Sequence, residues 1–208
     1  MKPTALVMFS GGLDSTGVLW KYVNGPEEFH VHHLYLVNKE NRAGAEDYAV
    51  KSIVEHLSKT RKFGFSESYH EYPCYDGNFL WDSDIFSFMA GAVCLNMKTI
   101  ESVAIGMTAS DGGRNMSARI ERANKIFEAF GTKAKKVYPV IGMTKSQIYE
   151  MLPEELRVLT WSCRTPVYKE GLATRCGRCK TCRQMRSIVP DNHDNMGLGV
   201  DDLGRPRE

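Results

Sequence analysis

The sequence lacks any long run of hydrophobic residues. Although 42% of its 208 residues are hydrophobic, no apolar run nears the roughly 20 residues that a helix needs to cross a bilayer. The first residues also lack the basic, apolar and small-residue pattern of a signal peptide. These absences predict a protein without a membrane partner, and the cytoplasm is its expected location.

A strong charge of either sign is missing as well. The 27 basic and 25 acidic residues leave a net charge of +2, and the basic residues are scattered except in the segment 175–186. A nucleic-acid surface concentrates positive charge on one face, so nucleic acid is not the expected partner. No internal repeat or low-complexity segment is present, and the length and composition favour one globular domain with a small appendage.

Cysteine is scarce outside one short segment. Four of the six cysteines lie between Cys163 and Cys182, and a protein in a reducing compartment seldom keeps disulfides. Clustered cysteines in such a protein indicate a metal site.

Short apolar runs alternate with helical patterns along most of the chain. They predict strands at 4–9, 30–37, 101–107 and 136–141, and helices at 14–23, 43–60, 84–97, 117–130 and 144–152. Thr144 is the predicted cap of the last helix. Strands separated by helices are typical of an α/β fold with a doubly wound parallel sheet. We predict an α/β domain over 1–160, a small helical metal-binding lobe over 161–190 and an extended tail over 191–208.

The first predicted strand ends in the string Ser10-Gly11-Gly12-Leu13-Asp14-Ser15. In a doubly wound sheet this turn presents free backbone N–H groups to ligands. Glycines let the backbone approach an anion closely, serine hydroxyls add donors, and the helix N-terminus adds partial positive charge. The string therefore predicts a phosphate site. The alternative is an ordinary tight turn with Asp14 or Ser15 as the helix N-cap.

The same string resembles the SGGxDS signature of the PP-loop, or ATP pyrophosphatase, superfamily. It lacks the Gly-Lys-Ser/Thr ending of the Walker loop and the three spaced glycines of the dinucleotide fingerprint. The resemblance implies an enzyme that cleaves ATP between the α and β phosphates and adenylates its substrate. A carboxylate beside phosphates acts chiefly through a bridging Mg²⁺, so Asp14 is the expected Mg²⁺ ligand.

The second motif is the spacing Cys163-x12-Cys176-x2-Cys179-x2-Cys182. Four thiolates at short spacing suit tetrahedral Zn²⁺, and the glycine after Cys176 suits a tight knuckle. A closed four-sulfur site leaves no position for substrate, so we predict a structural zinc. An iron–sulfur cluster remains the alternative, because thiolates hold such clusters as well.

Together the two motifs resemble the 7-cyano-7-deazaguanine synthase family. The likeness extends to "VYPVIGMTKSQIYEM", "AIGM" and "CGRCKTC", although Leu13 stands where the family usually has glutamine. The resemblance implies an ATP-dependent carbon–nitrogen ligase that converts 7-carboxy-7-deazaguanine and ammonia to the nitrile precursor of queuosine. It also implies a homodimer.

The resemblance implies roles for individual residues of the ATP site. The loop residues expected to bind the nucleotide, chiefly its leaving pyrophosphate, are Ser10, Gly11, Gly12, Leu13 and Ser15. Lys145 is expected to neutralise the α-phosphate, and its alternative role is that of a solvated residue in a first helical turn. Arg114 and Arg119 are candidates for the substrate carboxylate or a phosphate, since an Arg fork suits both; as ordinary helix-surface arginines they fit equally well.

Three further positions are predicted around the nucleotide. Asn38 is expected to contact ribose, backbone groups near Leu36 to contact adenine, and Gly106 to let the nucleotide pass close to the backbone. The histidines His32 and His33, like His30, lie in a predicted strand without a metal partner at suitable spacing, so we predict structural roles for them.

Two other functions remain open. The first is a PP-loop ligase or sulfurtransferase that adenylates a different acid or a tRNA. The second is a regulatory relative that binds nucleotide without catalysis. Turnover of ATP to AMP separates the enzymes from the binding protein, and stimulation by tRNA separates the two enzymes.

Overall fold

The computed structural model describes residues 2–72, 81–108, 116–169, 172–189 and 198–199. Its elements in chain order are β1 (Ala5–Phe9), α1 (Leu13–Val23), β2 (Phe29–Val37), α2 (Ala43–Thr60), β3 (Gly64–Glu71), α3 (Asp82–Asn96), β4 (Ser102–Ile105), α4 (Met116–Glu128), β5 (Lys135–Val137), α5 (Lys145–Met151), α6 (Glu154–Leu159), β6 (Val167–Lys169), β7 (Leu172–Thr174), α7 (Lys180–Arg186) and β8 (Leu198–Gly199). None of the described helices is long and apolar enough to cross a membrane.

Five strands form a parallel sheet in the order β3-β2-β1-β4-β5. The central strand, β1, is buried along its whole length, as expected of a strand covered by helices on both faces. From β1 the chain adds β2 and then β3 on one side of the sheet. It then crosses over to add β4 and β5 on the other side of β1. The order therefore reverses between β1 and β4, and such a switch point opens a crevice at the carboxyl ends of the strands.

Two hydrophobic cores cover the two faces of the sheet. On one face, α1, α2 and α5 pack against residues such as Val7 and Phe9 of β1. On the other face, α3 and α4 pack against Leu6 and Met8 of the same strand. This arrangement confirms the predicted α/β fold with a parallel sheet.

One strand, β3, was not predicted from the sequence. Its sequence GFSESYHE is mostly polar, and exposed positions alternate with partly buried ones along it. An edge strand has only one neighbour and a partly wetted surface, so it carries little apolar signal. The predicted strand at 136–141 is also too long, because β5 ends at Val137, two residues before Pro139, which has no N–H for a sheet ladder.

The C-terminal region differs from the predicted helical lobe. It contains α7 together with a three-stranded antiparallel sheet of β6, β7 and β8. Residues Leu198 and Gly199, which fall in the predicted tail, form β8 beside β7. Met185 and Val189 join the core of the main sheet, so the region shares a core with the α/β domain.

Candidate nucleotide site and cysteine cluster

The loop between β1 and α1 is shaped by its two glycines. Gly11 has a φ of 70°, a conformation that disfavours side chains. A Cβ at Gly11 would also lie 3.0 Å from the Ala49 Cβ and 3.1 Å from the Glu46 carbonyl oxygen. Gly11 therefore allows the loop to pack directly against α2. The role that these contacts support for Gly11 is to set the shape of the loop.

The hydroxyl groups of the loop are held by the loop itself. The Ser10 and Ser15 Oγ atoms lie 3.1 Å apart, and the Ser15 hydroxyl donates to the Gly12 carbonyl at 3.0 Å. Gly12 is the N-cap of α1 and has no side chain to cap it. The alternative in which Asp14 or Ser15 is the N-cap is therefore wrong.

Gly106 follows β4 and lies against the loop. A Cβ at this position would be 2.6 Å from the Ser15 nitrogen and 2.8 Å from its Cα. Any side chain would push the first turn of α1 away from β4. The absence of a Cβ at Gly106 thus makes room for the loop backbone, and its predicted contact with nucleotide stays a prediction.

A cavity of about 400 Å³ opens beside the loop at the switch point of the sheet. This volume lies in the range of small-molecule sites. The predicted site residues that line it are Ser10, Gly12, Leu13, Asp14, Ser15, Gly106, Arg119 and Lys145. The structure therefore brings together most of the residues predicted to bind or act on the nucleotide.

Asp14 and Lys145 form an ion pair in the cavity wall. Their side chains are only 17% and 8% exposed, so Lys145 is not the solvated helix residue of the alternative. Thr144 caps α5 by accepting from the Gln147 N–H, as predicted, which fixes Lys145 as the first residue of the helix. At Gly17 a Cβ would lie 2.6 Å from Ile148, so α5 approaches α1 closely enough for the pair to form.

Three predicted residues lie apart from this group. Leu36 is buried in a separate cluster with Leu34 and Ile85, and Asn38 donates to the Tyr72 hydroxyl at 3.2 Å. Neither lines the cavity, so their predicted contacts with adenine and ribose stay predictions. Arg114 lies outside the described residues.

A network of charges, buried at Arg42 and Glu46 and partly exposed elsewhere, was missed by the sequence analysis. It joins two basic and three acidic side chains, namely Arg42, Arg164, Glu40, Glu46 and Asp82. Burial raises the pKa of Glu46, whereas the two arginines outweigh burial and lower the pKa of Asp82. The network ties the region after β2, the start of α3 and the segment after Cys163 into one rigid cavity wall. Arg42 and Glu46 form an i,i+4 pair that the sequence pattern offers, but Asp82 and Arg164 are far from them in the chain, and no spacing pattern connects those two residues to the rest.

The four predicted metal ligands come together in one cluster. Their Sγ atoms all lie within 4.8 Å of one another, and those of Cys176 and Cys182 are 3.9 Å apart. A tetrahedral zinc site with bonds of about 2.3 Å places its sulfurs close to this distance. Gly177 has a φ of 67°, which confirms that the knuckle needs glycine.

Backbone N–H groups point at the sulfurs of the cluster. The Cys176, Cys179 and Cys182 nitrogens each lie 3.3 Å from the Sγ of the preceding cysteine of the motif. Burial alone would raise the pKa of Cys176, but hydrogen bonds from Thr165 and the backbone lower it to about 6. Burial instead raises the pKa of the Cys163 thiol to about 11 and also raises that of Cys182. The case for a metal therefore rests on the sulfur geometry, which makes the cluster a possible metal site consistent with Zn²⁺.

Trp161 connects the cluster to the loop. Its indole N–H donates to the Cys163 carbonyl at 3.0 Å, and its backbone N–H donates to the Gly11 carbonyl at 2.9 Å. The side chain is 1% exposed and packs with Cys163 and Cys182. The position of the loop therefore depends on the segment that begins the cluster.

The histidines of β2 lie inside the fold. His32 is held between the Ser66 and Ser68 hydroxyls at 2.8 and 2.9 Å, and burial lowers its pKa to about 4. The Nδ1 of His33 lies 3.0 Å from the Phe9 carbonyl oxygen. These contacts fit the predicted structural roles.

The chain was compared with protein-family models and with curated proteins, and neither comparison found a match. Fold and site together define the molecule as an α/β protein with a cavity at the switch point of its sheet and a four-cysteine cluster beside it.

Proposed function

We propose that the protein is an ATP-dependent carbon–nitrogen ligase that activates a carboxylic acid by adenylation. The observation that carries this proposal is the Asp14–Lys145 pair beside the Gly-Gly loop, in the wall of a cavity at the switch point. Such crevices bind nucleotides in open α/β sheets. Adenylation also needs little besides stabilised charge at the phosphates, which these residues supply.

The residues present fit ATP and Mg²⁺. The backbone N–H groups at the start of α1 form a set of donors that suits phosphate. The Ser10 and Ser15 hydroxyls, which bond within the loop, hold the loop in the shape that presents these groups. Asp14 provides the hard oxygen ligand that Mg²⁺ prefers. When bound, Mg²⁺ would neutralise charge on the phosphates, and Asp14 would hold it while Lys145 faces the α-phosphate.

The proposed reaction makes a poor electrophile reactive. An oxygen of the substrate carboxylate attacks the α-phosphorus of ATP, the bond to the β-phosphate oxygen breaks, and pyrophosphate leaves. Ammonia attacks the acyl carbon and AMP leaves, which gives the amide. A second ATP adenylates the amide oxygen, and loss of AMP with the last N–H proton leaves the nitrile. Lys145 and the loop stabilise the negative charge that develops on the phosphates in both adenylations.

We propose 7-carboxy-7-deazaguanine as the acid. The support is the resemblance in the loop, in the segment around Lys145 and in the cysteine motif, together with the close packing of that motif against the loop through Trp161. On this proposal the cluster holds a structural zinc, since its four sulfurs close the coordination shell. The cytoplasmic location and the homodimer remain predictions.

The test is an incubation with ATP, Mg²⁺, ammonium and 7-carboxy-7-deazaguanine, analysed by mass spectrometry. We expect AMP and the nitrile, and neither product when the acid is left out. AMP without nitrile would point to another acceptor, which added tRNA would reveal as a stimulation. Nucleotide binding without any AMP would refute the ligase and favour the regulatory relative.

A further inference from the structure

The cavity has a second wall that faces away from the loop. This wall is formed by α3, α4 and the strand β5. Its apolar part consists of Phe86, Ile120 and Ala123, and its polar part includes Ser83, Ser87, Arg119 and Lys136. An apolar surface with a few placed polar groups is the usual lining of a small-molecule site.

Lys136 lies deep in this wall. Lys136 pairs with Val103 of β4, and Val103 pairs with Leu6 of β1. The Lys136 Cα is therefore at the height of Leu6 in the sheet, four residues before Ser10. At about 3.3 Å per residue, that is about 13 Å below the loop along the strand direction. A ligand whose reacting group lies at the loop would therefore present its opposite edge to Lys136.

The Lys136 ammonium lacks a charged partner in the part of the chain that the structure describes. Its Nζ donates to the Ser87 Oγ at 3.0 Å and makes no ion pair with a described carboxylate. Burial lowers the pKa of Lys136 to about 8, and the attraction of the Glu128 and Asp84 carboxylates, which raises the pKa, is weaker than the effect of burial. Asp84 forms its own ion pair with Arg122. A partly buried ammonium of this kind has donor capacity left for a ligand.

Two more polar atoms of the wall are unsatisfied. The Ser83 Oγ and the Arg119 Nε are buried and have no hydrogen-bond partner among the described residues. The Arg119 guanidinium is held by stacking on Trp81, 4.1 Å from the ring centroid. Buried polar groups are rarely left unpaired in a protein, and both residues line the cavity. A rotation of the Ser83 side chain toward the cavity would let its hydroxyl pair with a ligand.

We propose that this wall binds the ring of the acid substrate, with Lys136 and Ser83 hydrogen-bonded to the polar edge remote from the carboxylate. The class of ligand is a planar heteroaromatic acid. Its faces lie against Phe86 and the apolar side of α4, and a ring nitrogen or carbonyl oxygen accepts from Lys136. The carboxylate then points to the loop. This inference rests on the proposed function and adds the residues that select the acid.

The test compares two ligands in equilibrium titrations of the full chain without ATP. 7-Carboxy-7-deazaguanine carries the reacting carboxylate, and 7-deazaguanine has the same ring without it. We expect Lys136→Met to weaken both ligands by the same factor, roughly tenfold to a hundredfold, as for the loss of a charged hydrogen bond. Lys135→Met changes the exposed neighbour on the same strand and should leave both affinities as they are.

Ser83→Ala provides a second variant that does not endanger the fold. Because the Ser83 hydroxyl has no partner among the described residues, its removal should leave the melting temperature equal or higher while it weakens both ligands several-fold. Retained metal content and melting temperature verify that Lys136→Met is folded.

Each outcome decides the proposal separately from the ligase activity. Equal losses for both ligands support it. A loss of affinity for the acid alone would overturn the proposal, because Lys136 would then bind the carboxylate. Unchanged affinities in Lys136→Met would also overturn it. So would a wild-type protein that binds neither ligand. If the wild type binds both ligands but forms no AMP with ATP and Mg²⁺, the proposed ligase function is refuted. The proposal that the wall around Lys136 binds the ring would still be supported by equal losses in Lys136→Met.

Discussion

The cysteine cluster and the nucleotide loop are built in opposite ways. All four cysteines of the cluster come from the segment 163–182, and local hydrogen bonds within the motif set their positions. The loop site instead joins Asp14 and Lys145, which are 131 residues apart in the chain, and adds Gly106 from a third region. A metal site can thus be specified by spacing, whereas the cavity exists only once the sheet has its order.

The two regions are nevertheless in contact through Trp161. Its backbone binds the loop and its side chain binds the segment of Cys163. If the cluster supports the loop, damage to the cluster should reach the nucleotide, whereas damage to the loop should leave the cluster intact. Four substitutions test this asymmetry.

The largest effect is expected from Cys179→Ser, which breaks the cluster. The binding free energy of a structural metal contributes directly to folding, on the order of 10 kcal/mol for zinc in small domains. We expect the variant to lose metal and to melt at a much lower temperature, as measured by elemental analysis and calorimetry. Cys94→Ala changes a buried cysteine outside the cluster and should keep its metal. A stable, metal-replete Cys179→Ser protein would remove Cys179 from the ligand set.

Asp14→Ala breaks the loop instead. Loss of a group that stabilises charge at the reacting centre costs roughly 10²- to 10³-fold in rate, so we expect AMP formation to fall by at least that factor. Metal content should stay close to that of the wild type, whereas the melting temperature should fall, because Lys145 loses its partner in a largely buried ion pair. Full activity in this variant would contradict the role of Asp14 at the phosphates.

Trp161→Phe weakens the connection between the two regions. The indole N–H is lost and the buried Cys163 carbonyl loses its donor, which costs about 1–3 kcal/mol. We expect a lower free energy of unfolding and a several-fold weaker affinity for ATP, measured by urea unfolding and titration. Trp20→Phe, on the outer part of the α1 core, should affect stability alone. Equal ATP affinities in the two variants would show that the cluster does not position the loop.

Thr144→Ala should give the smallest effect. Removal of the N-cap of α5 costs about 1 kcal/mol, because the Gln147 N–H loses its acceptor. We expect a small decrease in the free energy of unfolding and a modest decrease in AMP formation, since Lys145 is the next residue. A loss of activity as large as that of Asp14→Ala would mean that the cap itself takes part in the reaction.

Sequence patterns predicted those parts of the molecule that depend on neighbouring residues. The buried strand β1, the Thr144 cap and the cysteine knuckle have strong local signals and were found where the patterns indicate. The edge strand β3 was missed because its residues are mostly polar. The links of the charged network to Asp82 and Arg164 were missed because only the fold brings these distant residues to Arg42 and Glu40. The cavity wall around Lys136 was missed for the same reason.

The central claim is that a carboxylate oxygen becomes bonded to AMP. The most direct measurement uses acid labelled with ¹⁸O in its carboxyl group, together with ATP, Mg²⁺ and ammonium, and follows the label by mass spectrometry. We predict that the nitrile carries no label. Each of the two labelled carboxyl oxygens of the acid should leave in one molecule of AMP. Unlabelled AMP, with the label in water or phosphate, would contradict adenylation of the acid at this site.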